Sequence, residues 1–157
     1  MGKIHNGQKI GILTAGGDCP GINAAIRGVG KTAIVKYDMK VIGISDGFTG
    51  LINKEFRELT ESDLSGILTM GGTILGTSRE KPFKSDGKGK NDMRKPVLIK
   101  EHYEQMGLDC LVCIGGNGTL KTAHLLAEEG LNVVGIPKTI DNDVWGTDLS
   151  FGFDSAV

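Results

Sequence analysis

Lys9-Ile10-Gly11-Ile12-Leu13-Thr14-Ala15-Gly16-Gly17-Asp18-Cys19-Pro20-Gly21-Ile22-Asn23 changes its period halfway along. The first six residues are a short apolar run with β-branched members, as a strand in a sheet requires. Beyond Gly21 the apolar residues Ile22, Ala25, Ile26, Val29 and Ala33 recur at helical spacing on one face, while Arg27 and Lys31 share another face four residues apart. The stretch therefore reads as strand, glycine turn, helix. Paired glycines where a helix opens let backbone N–H groups and the positive end of the helix dipole meet an anion such as phosphate. Glycines also occur in βα loops that bind nothing, because they supply positive φ. A single turn of this kind leaves both readings open.

Moving outward, the pattern repeats. Lys40–Ser45 is a second strand, followed by a glycine-bearing loop at Asp46–Leu51, which completes a βαβ unit. Leu108–Ile114 is a strand ending in Gly115-Gly116-Asn117-Gly118-Thr119, with a helix expected over Leu120–Glu129 and closed by Gly130. Leu131–Ile136 reads as a buried strand, and at its end stands Pro137-Lys138-Thr139-Ile140-Asp141-Asn142-Asp143. That cluster puts two carboxylates, an ammonium and a hydroxyl into seven residues, which a core cannot tolerate. An Asx-rich turn would account for the Asn and one Asp, but it leaves Lys138 and the second carboxylate unused. Two glycine turns and a polar cluster, each at a strand end, converge on one sheet edge, where open α/β sheets bind ligands. The fold class is α/β: a doubly wound, mostly parallel, Rossmann-like sheet with helices on both faces.

Between these units Thr60–Asp63 is a plausible helix start, with Leu64, Ile67 and Leu68 as its apolar face. Gly71-Gly72-Thr73-Ile74-Leu75-Gly76-Thr77-Ser78-Arg79 is too rich in Gly and Thr for a helix and reads as a loop presenting Arg79. Its guanidinium is either a fork for phosphate oxygens or a solvated surface group. Lys81–Asn91, and Ser85–Lys90 in particular, reads as an exposed mobile loop. Arg94–Gly107 reads as a helix with Val97, Leu98, Tyr103 and Met106 inward and Gly107 as its stop. At the end of the chain, Asp154 or Ser155 suits the N-cap of a helix just beginning.

Composition narrows the partners. Lys and Arg number 18 against 19 for Asp and Glu in 157 residues, so there is no general attraction for nucleic acid or an anionic membrane. The three cysteines form no framework, which fits a reducing compartment, with the cytoplasm as the default location. Cys110 and Cys113 have the spacing of a redox or metal pair, but strand alternation sends them to opposite faces and makes them core thiols. No apolar run approaches the roughly 20 residues that span a bilayer.

Taken together, Gly16 to Ala24, Gly71 to Arg79, Gly115 to Thr119, and Pro137 to Asp143 with Gly146-Thr147-Asp148 behind it resemble, in order, the motifs of the 6-phosphofructokinases. The resemblance covers nearly the whole chain. Family members are typically about twice as long, with two similar α/β lobes. Residues 1–157 would then be most of the N-terminal nucleotide-binding lobe, cut short, without the second, sugar-phosphate lobe. The resemblance implies transfer of the γ-phosphoryl of MgATP to the C1 hydroxyl of fructose 6-phosphate, a glycolytic step, by a parent protein expected to be a homo-oligomer. Asp141 would be the general base, Thr139 would touch the transferring phosphoryl group, and Lys138 would be a cation beside it. Thr139, Ile140 and Asp141 would meet the sugar. Gly17, Arg79, Gly116, Asn117, Gly118 and Thr119 would form the donor site, and Asn117 with Asp143 would lie by Mg²⁺.

Two positions depart from the ATP-using bacterial pattern. Asn117 replaces a usual aspartate, so the metal loses a charge partner. Lys138 replaces a usual glycine and looks like the pyrophosphate-using and mixed groups. Pyrophosphate users typically have an aspartate where Gly118 leaves room for a nucleoside, so ATP is the expected donor. Dinucleotide dehydrogenases are disfavoured because neither turn reads G-x-G-x-x-G with an acidic residue about 20 positions on. NAD and lipid kinases share only Gly115–Thr119. The alternatives are a pyrophosphate-dependent fructose 6-phosphate phosphotransferase and a non-catalytic nucleotide-binding or regulatory module.

Overall fold

The structure is a computed structural model and describes residues 7–84 and 94–156. Five strands form one sheet in the order β3-β2-β1-β4-β5: β1 Lys9–Thr14, β2 Lys40–Ile44, β3 Phe56–Leu59, β4 Cys110–Gly115 and β5 Val133–Pro137. β1 pairs in parallel with both β2 and β4, and β4 in parallel with β5, while β3 runs antiparallel to β2. The doubly wound, mostly parallel sheet expected from the sequence is the one observed. Parallel strands need helical crossovers, which cover both faces and make the central strands apolar throughout.

Alternation along β1 and β4 divides the core. Ile10, Ile12, Val112 and Ile114 pack with Ile22, Ala25 and Ile26 of α1 (Ile22–Lys31), which continues as a π-helical turn over Thr32–Lys36. On the other face, Leu13, Leu111 and Cys113 pack against α2 (Phe48–Asn53), α3 (Arg94–Gln105) and α4 (Asn117–Glu128). Each fully buried Leu or Ile here contributes about 1.5–3 kcal/mol from leaving water. Gly11 serves the second face, because a Cβ there would lie 2.8 Å from Leu108 Cδ1. Cys113 is in this second core and Cys110 packs against the first, so the two thiols do point to opposite faces.

Several local expectations are corrected. The segment Thr60–Asp63 is a turn, because the Asp63 carboxylate accepts the Thr60 N–H at 2.8 Å and its hydroxyl at 2.6 Å. Together with Arg57 these bonds hold the Asp63 carboxyl down at about 2. Leu64 and Ile67 are buried as expected, but Leu68 is exposed, and only a single 3₁₀ turn forms at Ile67–Thr69 after Gly66, at φ +75°. Antiparallel β3 has no sequence signal: its pattern Phe-Arg-Glu-Leu buries only Leu59. The loop expected at Asp46–Leu51 contains the start of α2. α3 turns Pro96, Ile99 and His102 inward and leaves Val97 exposed, and Gly107 ends it at φ +63°. α4 begins at Asn117 inside the glycine turn. β5 is an edge strand with Val134 half exposed, so the reading of a buried strand is wrong there. Asp154 and Ser155 lie within the short α5 (Phe153–Ala156) and do not cap it. The loop reading for Ser85–Lys90 lies outside the described residues.

Candidate functional site

The sheet order 3-2-1-4-5 places its switch point between β1 and β4, whose C-terminal ends open into the two glycine turns. Helices leave from opposite sides there, and a crevice results. A cleft of about 530 Å³ lies at this point, lined by Gly16, Gly17, Asp18, Arg79, Gly116, Asn117, Gly118, Thr119, Lys138, Thr139, Ile140 and Asp143 among others. Three segments far apart in sequence are thus brought to one place, as the sequence motifs require. Arg79 is exposed and faces this cleft, which favours the phosphate-fork reading over a detached surface group.

The glycines have distinct reasons. Gly16 sits at φ +91°, a conformation that favours glycine. Gly115 is close-packed, since a Cβ would collide with Thr119 and with Ala15 O. Gly17 and Gly118 have neither a positive φ nor a neighbour: a Cβ at either meets nothing within 4 Å. Both line the cleft, so a side chain at these positions would take up space that the protein itself does not use. Gly116, the N-cap of α4, provides no side-chain cap, which leaves the first N–H groups of a 12-residue helix open to an anion.

At the end of β5 the chain turns back sharply. Lys138 N–H donates to Gly115 O at 3.0 Å and Thr139 N–H to Phe151 O at 3.0 Å. Asn142, at φ +50°, accepts Ser150 N–H on its Oδ1 at 2.9 Å and donates from Nδ2 to Asp148 O at 3.3 Å. The Asx turn is therefore real, and Asn142 makes it. Thr139 Oγ1 accepts the Asp141 N–H at 3.1 Å and donates to Asp143 Oδ1 at 2.9 Å. Asp141 itself is exposed and does not line the cleft, unlike its neighbours Ile140 and Asp143. Lys138 is buried, and its ammonium donates to Gly17 O across the cleft floor.

Sequence reasoning assigned no role to Asn23, Thr14 or Thr77, yet these side chains fix the segment that carries Arg79. Asn23, fully buried, donates to Met70 O at 3.2 Å and accepts the Ile74 N–H at 2.9 Å. Thr14 Oγ1 donates to Gly76 O at 2.6 Å, and Thr77 Oγ1 to Gly16 O at 2.8 Å. The available signal was Asn23, an amide on the otherwise apolar inward face of α1.

Fold and cleft together define a doubly wound α/β lobe with a glycine-lined cleft at its switch point. The family model for phosphofructokinase matches residues 9–157, and the chain belongs to that family. It is 64% identical over 150 residues to the ATP-dependent 6-phosphofructokinase 3 of Bacteroides thetaiotaomicron, covering 96% of this chain and 44% of that protein. To the ATP-dependent 6-phosphofructokinase of Spirochaeta thermophila it is 63% identical over 153 residues, covering 96% and 42%. Among solved structures, phosphofructokinase from Saccharomyces cerevisiae superposes with a TM-score of 0.84 at 31% identity, over 95% of this chain and 22% of that one. Pichia pastoris phosphofructokinase in the T-state gives 0.82 at 36%, over 93% and 17%. The chain thus spans less than half the length of the curated relatives it matches.

Proposed function

We propose that this chain is the phosphoryl-donor half of a 6-phosphofructokinase that moves the γ-phosphoryl of ATP to the C1 hydroxyl of fructose 6-phosphate. The observation that carries the reading is the cleft at the β1/β4 switch point, where Gly17 and Gly118 keep open a space that no protein atom fills. The uncapped start of α4, Arg79 and the buried Lys138 supply donors suited to phosphate oxygens, in a lining that also carries the carboxylates Asp18, Glu80 and Asp143. The dependence on ATP named for the relatives and the room left at Gly118 both favour ATP as donor. Lys138, the feature shared with pyrophosphate users, has another task here in holding Gly17 O.

In this reading Gly17, Arg79, Gly116, Asn117, Gly118 and Thr119 bind the donor, and Thr139 and Lys138 stand beside the group in flight. Asp141 takes the proton of the attacking hydroxyl. Its exposed carboxylate, next in sequence to the cleft-lining Ile140, suits a base that must meet an incoming acceptor. The sugar phosphate also needs contacts from a second lobe and from a neighbouring subunit, which fits the share of its relatives that this chain covers. Among the described residues no group of three His, Cys, Asp or Glu could hold a metal unaided. Asn117 and Asp143 both line the cleft and fit a Mg²⁺ held jointly with donor phosphates, the usual arrangement for that ion. When bound it would neutralise phosphate charge. Among the described residues no helix is long and apolar enough to cross a membrane, and a cytoplasmic location is part of this proposal.

The test is a steady-state assay of the full-length protein with fructose 6-phosphate and either ATP or pyrophosphate. Turnover with ATP is expected. Turnover with pyrophosphate alone would refute the choice of donor, and turnover with neither would refute the function.

A further inference from the structure

A diglycine turn can show a ligand either its N–H groups or its carbonyl oxygens, because the peptide between two glycines turns over at little steric cost. Carbonyls facing a polyphosphate repel it, whereas N–H groups attract it. In this chain both carbonyls of the turn are already held. Gly16 O accepts the Thr77 hydroxyl at 2.8 Å, and Gly17 O accepts the Lys138 ammonium. The Gly16 N–H is used as well, donating to Ser78 O at 2.8 Å. Across a trans peptide the C=O and the following N–H point in opposite directions. The Gly17 N–H therefore points away from Thr77, and the Asp18 N–H away from Lys138. Neither donates to an acceptor among the described residues, and both residues are exposed in the cleft wall.

We infer that Thr77 is a positioning residue for the phosphoryl donor: with Lys138 it fixes both carbonyls of Gly16–Gly17 away from the ligand, so that the Gly17 and Asp18 N–H groups stay open to phosphate oxygens. The same contact, together with the Gly16–Ser78 bond, sets the register between the glycine turn and the segment carrying Arg79. Two halves of the anion site thereby hold each other in place. This rests on the cleft being the donor site.

The experiment compares Thr77→Val, which keeps the shape and removes the donor, with Thr77→Ser, which keeps the hydroxyl, in the full-length enzyme. Thr77→Val is expected to raise KM for MgATP about tenfold, the equivalent of one net hydrogen bond. KM for fructose 6-phosphate should stay unchanged within error, and Thr77→Ser should match the parent. Inorganic tripolyphosphate, used as a competitive inhibitor against ATP, should weaken in Thr77→Val by the same factor, because the lock acts on phosphates and not on the nucleoside. An unchanged KM for ATP in Thr77→Val would overturn the inference, as would an equal loss in Thr77→Ser. If Thr77→Val does not fold, Thr77→Ala is read against the same serine control. A parent enzyme indifferent to both ATP and tripolyphosphate would instead sink the donor-site reading itself, whereas a parent that uses ATP alongside an unaffected Thr77→Val sinks only the lock.

Discussion

Thr139 Oγ1 donates to Asp143 Oδ1 at 2.9 Å and at the same time accepts the Asp141 N–H at 3.1 Å. One hydroxyl thus fixes the backbone of Asp141 and occupies one oxygen of Asp143. The Asp141 carboxylate makes no hydrogen bond among the described residues. Of the two carboxylates it is the one left with both oxygens for an acceptor proton, while Asp143 faces the cleft.

Asp141→Asn in the full-length enzyme is therefore expected to lower kcat by about 10²–10⁴-fold, the usual contribution of a general base. Donor affinity should be nearly intact, because Asp141 does not line the cleft. An unchanged kcat would remove Asp141 from the chemistry.

Gly118→Asp is expected to weaken ATP binding strongly and stability little. A Cβ there meets no protein atom within 4 Å, and Gly118 lines the cleft, so the first atom of a side chain is accommodated without strain. Its charge would oppose a polyphosphate at the start of α4. Titration calorimetry with MgATP and thermal melting of the same protein separate the two effects. A fall in melting temperature without loss of ATP affinity would show that Gly118 serves packing.

Residues 1–157 on their own are expected not to phosphorylate fructose 6-phosphate. Beyond Lys138 the described residues include no Lys or Arg: Ile140, Trp145 and Leu149 are exposed at 51%, 94% and 53%, and the exposed Asp143 and Asp148 are anionic, so this segment has no cationic partner for a sugar phosphate. Positioning supplies most of the rate in phosphoryl transfer, and this segment cannot provide it. β5 also presents an open edge, which invites association. A coupled assay on this chain, with gel filtration beside it, is the check, and measurable product would overturn the expectation.

Alkaline pH should destabilise the fold through Cys113. Burial is the larger cause that pushes its thiol far above the ordinary 9.0, and the charge of Cys110 adds to it. The folded value is above the unfolded one, so this contribution is complete below about 9 and is lost as pH rises beyond it. Cys19 and Cys110 are shifted upward in the same direction. Urea midpoints should fall between pH 8 and pH 10, and Cys113→Ala should flatten that fall. Equal slopes in the two proteins would exclude the thiol as the cause.

The sequence by itself determined the alternation of apolar strands with glycine turns, and hence the parallel sheet, its switch point and the segments that meet there. These are local properties: a period of two or of 3.6, and glycines where strands end. It also separated Cys110 from Cys113, since strand parity alone decides their faces. Only the tertiary structure decided the rest. That β5 is an edge, exposing Val134, depends on which strands lie beside it and not on its own residues. That Thr60–Asp63 turns instead of starting a helix depends on a carboxylate whose bonds to Thr60 and Arg57 outweigh a weak helical propensity. That Gly17 is kept open while Gly115 is packed, and that Thr77 and Lys138 close on the two carbonyls of one turn, follows from contacts across 61 and 121 residues. Periodicity carries no information over such distances, because a hydrogen bond depends on where two groups end up in space and not on the spacing that brought them there.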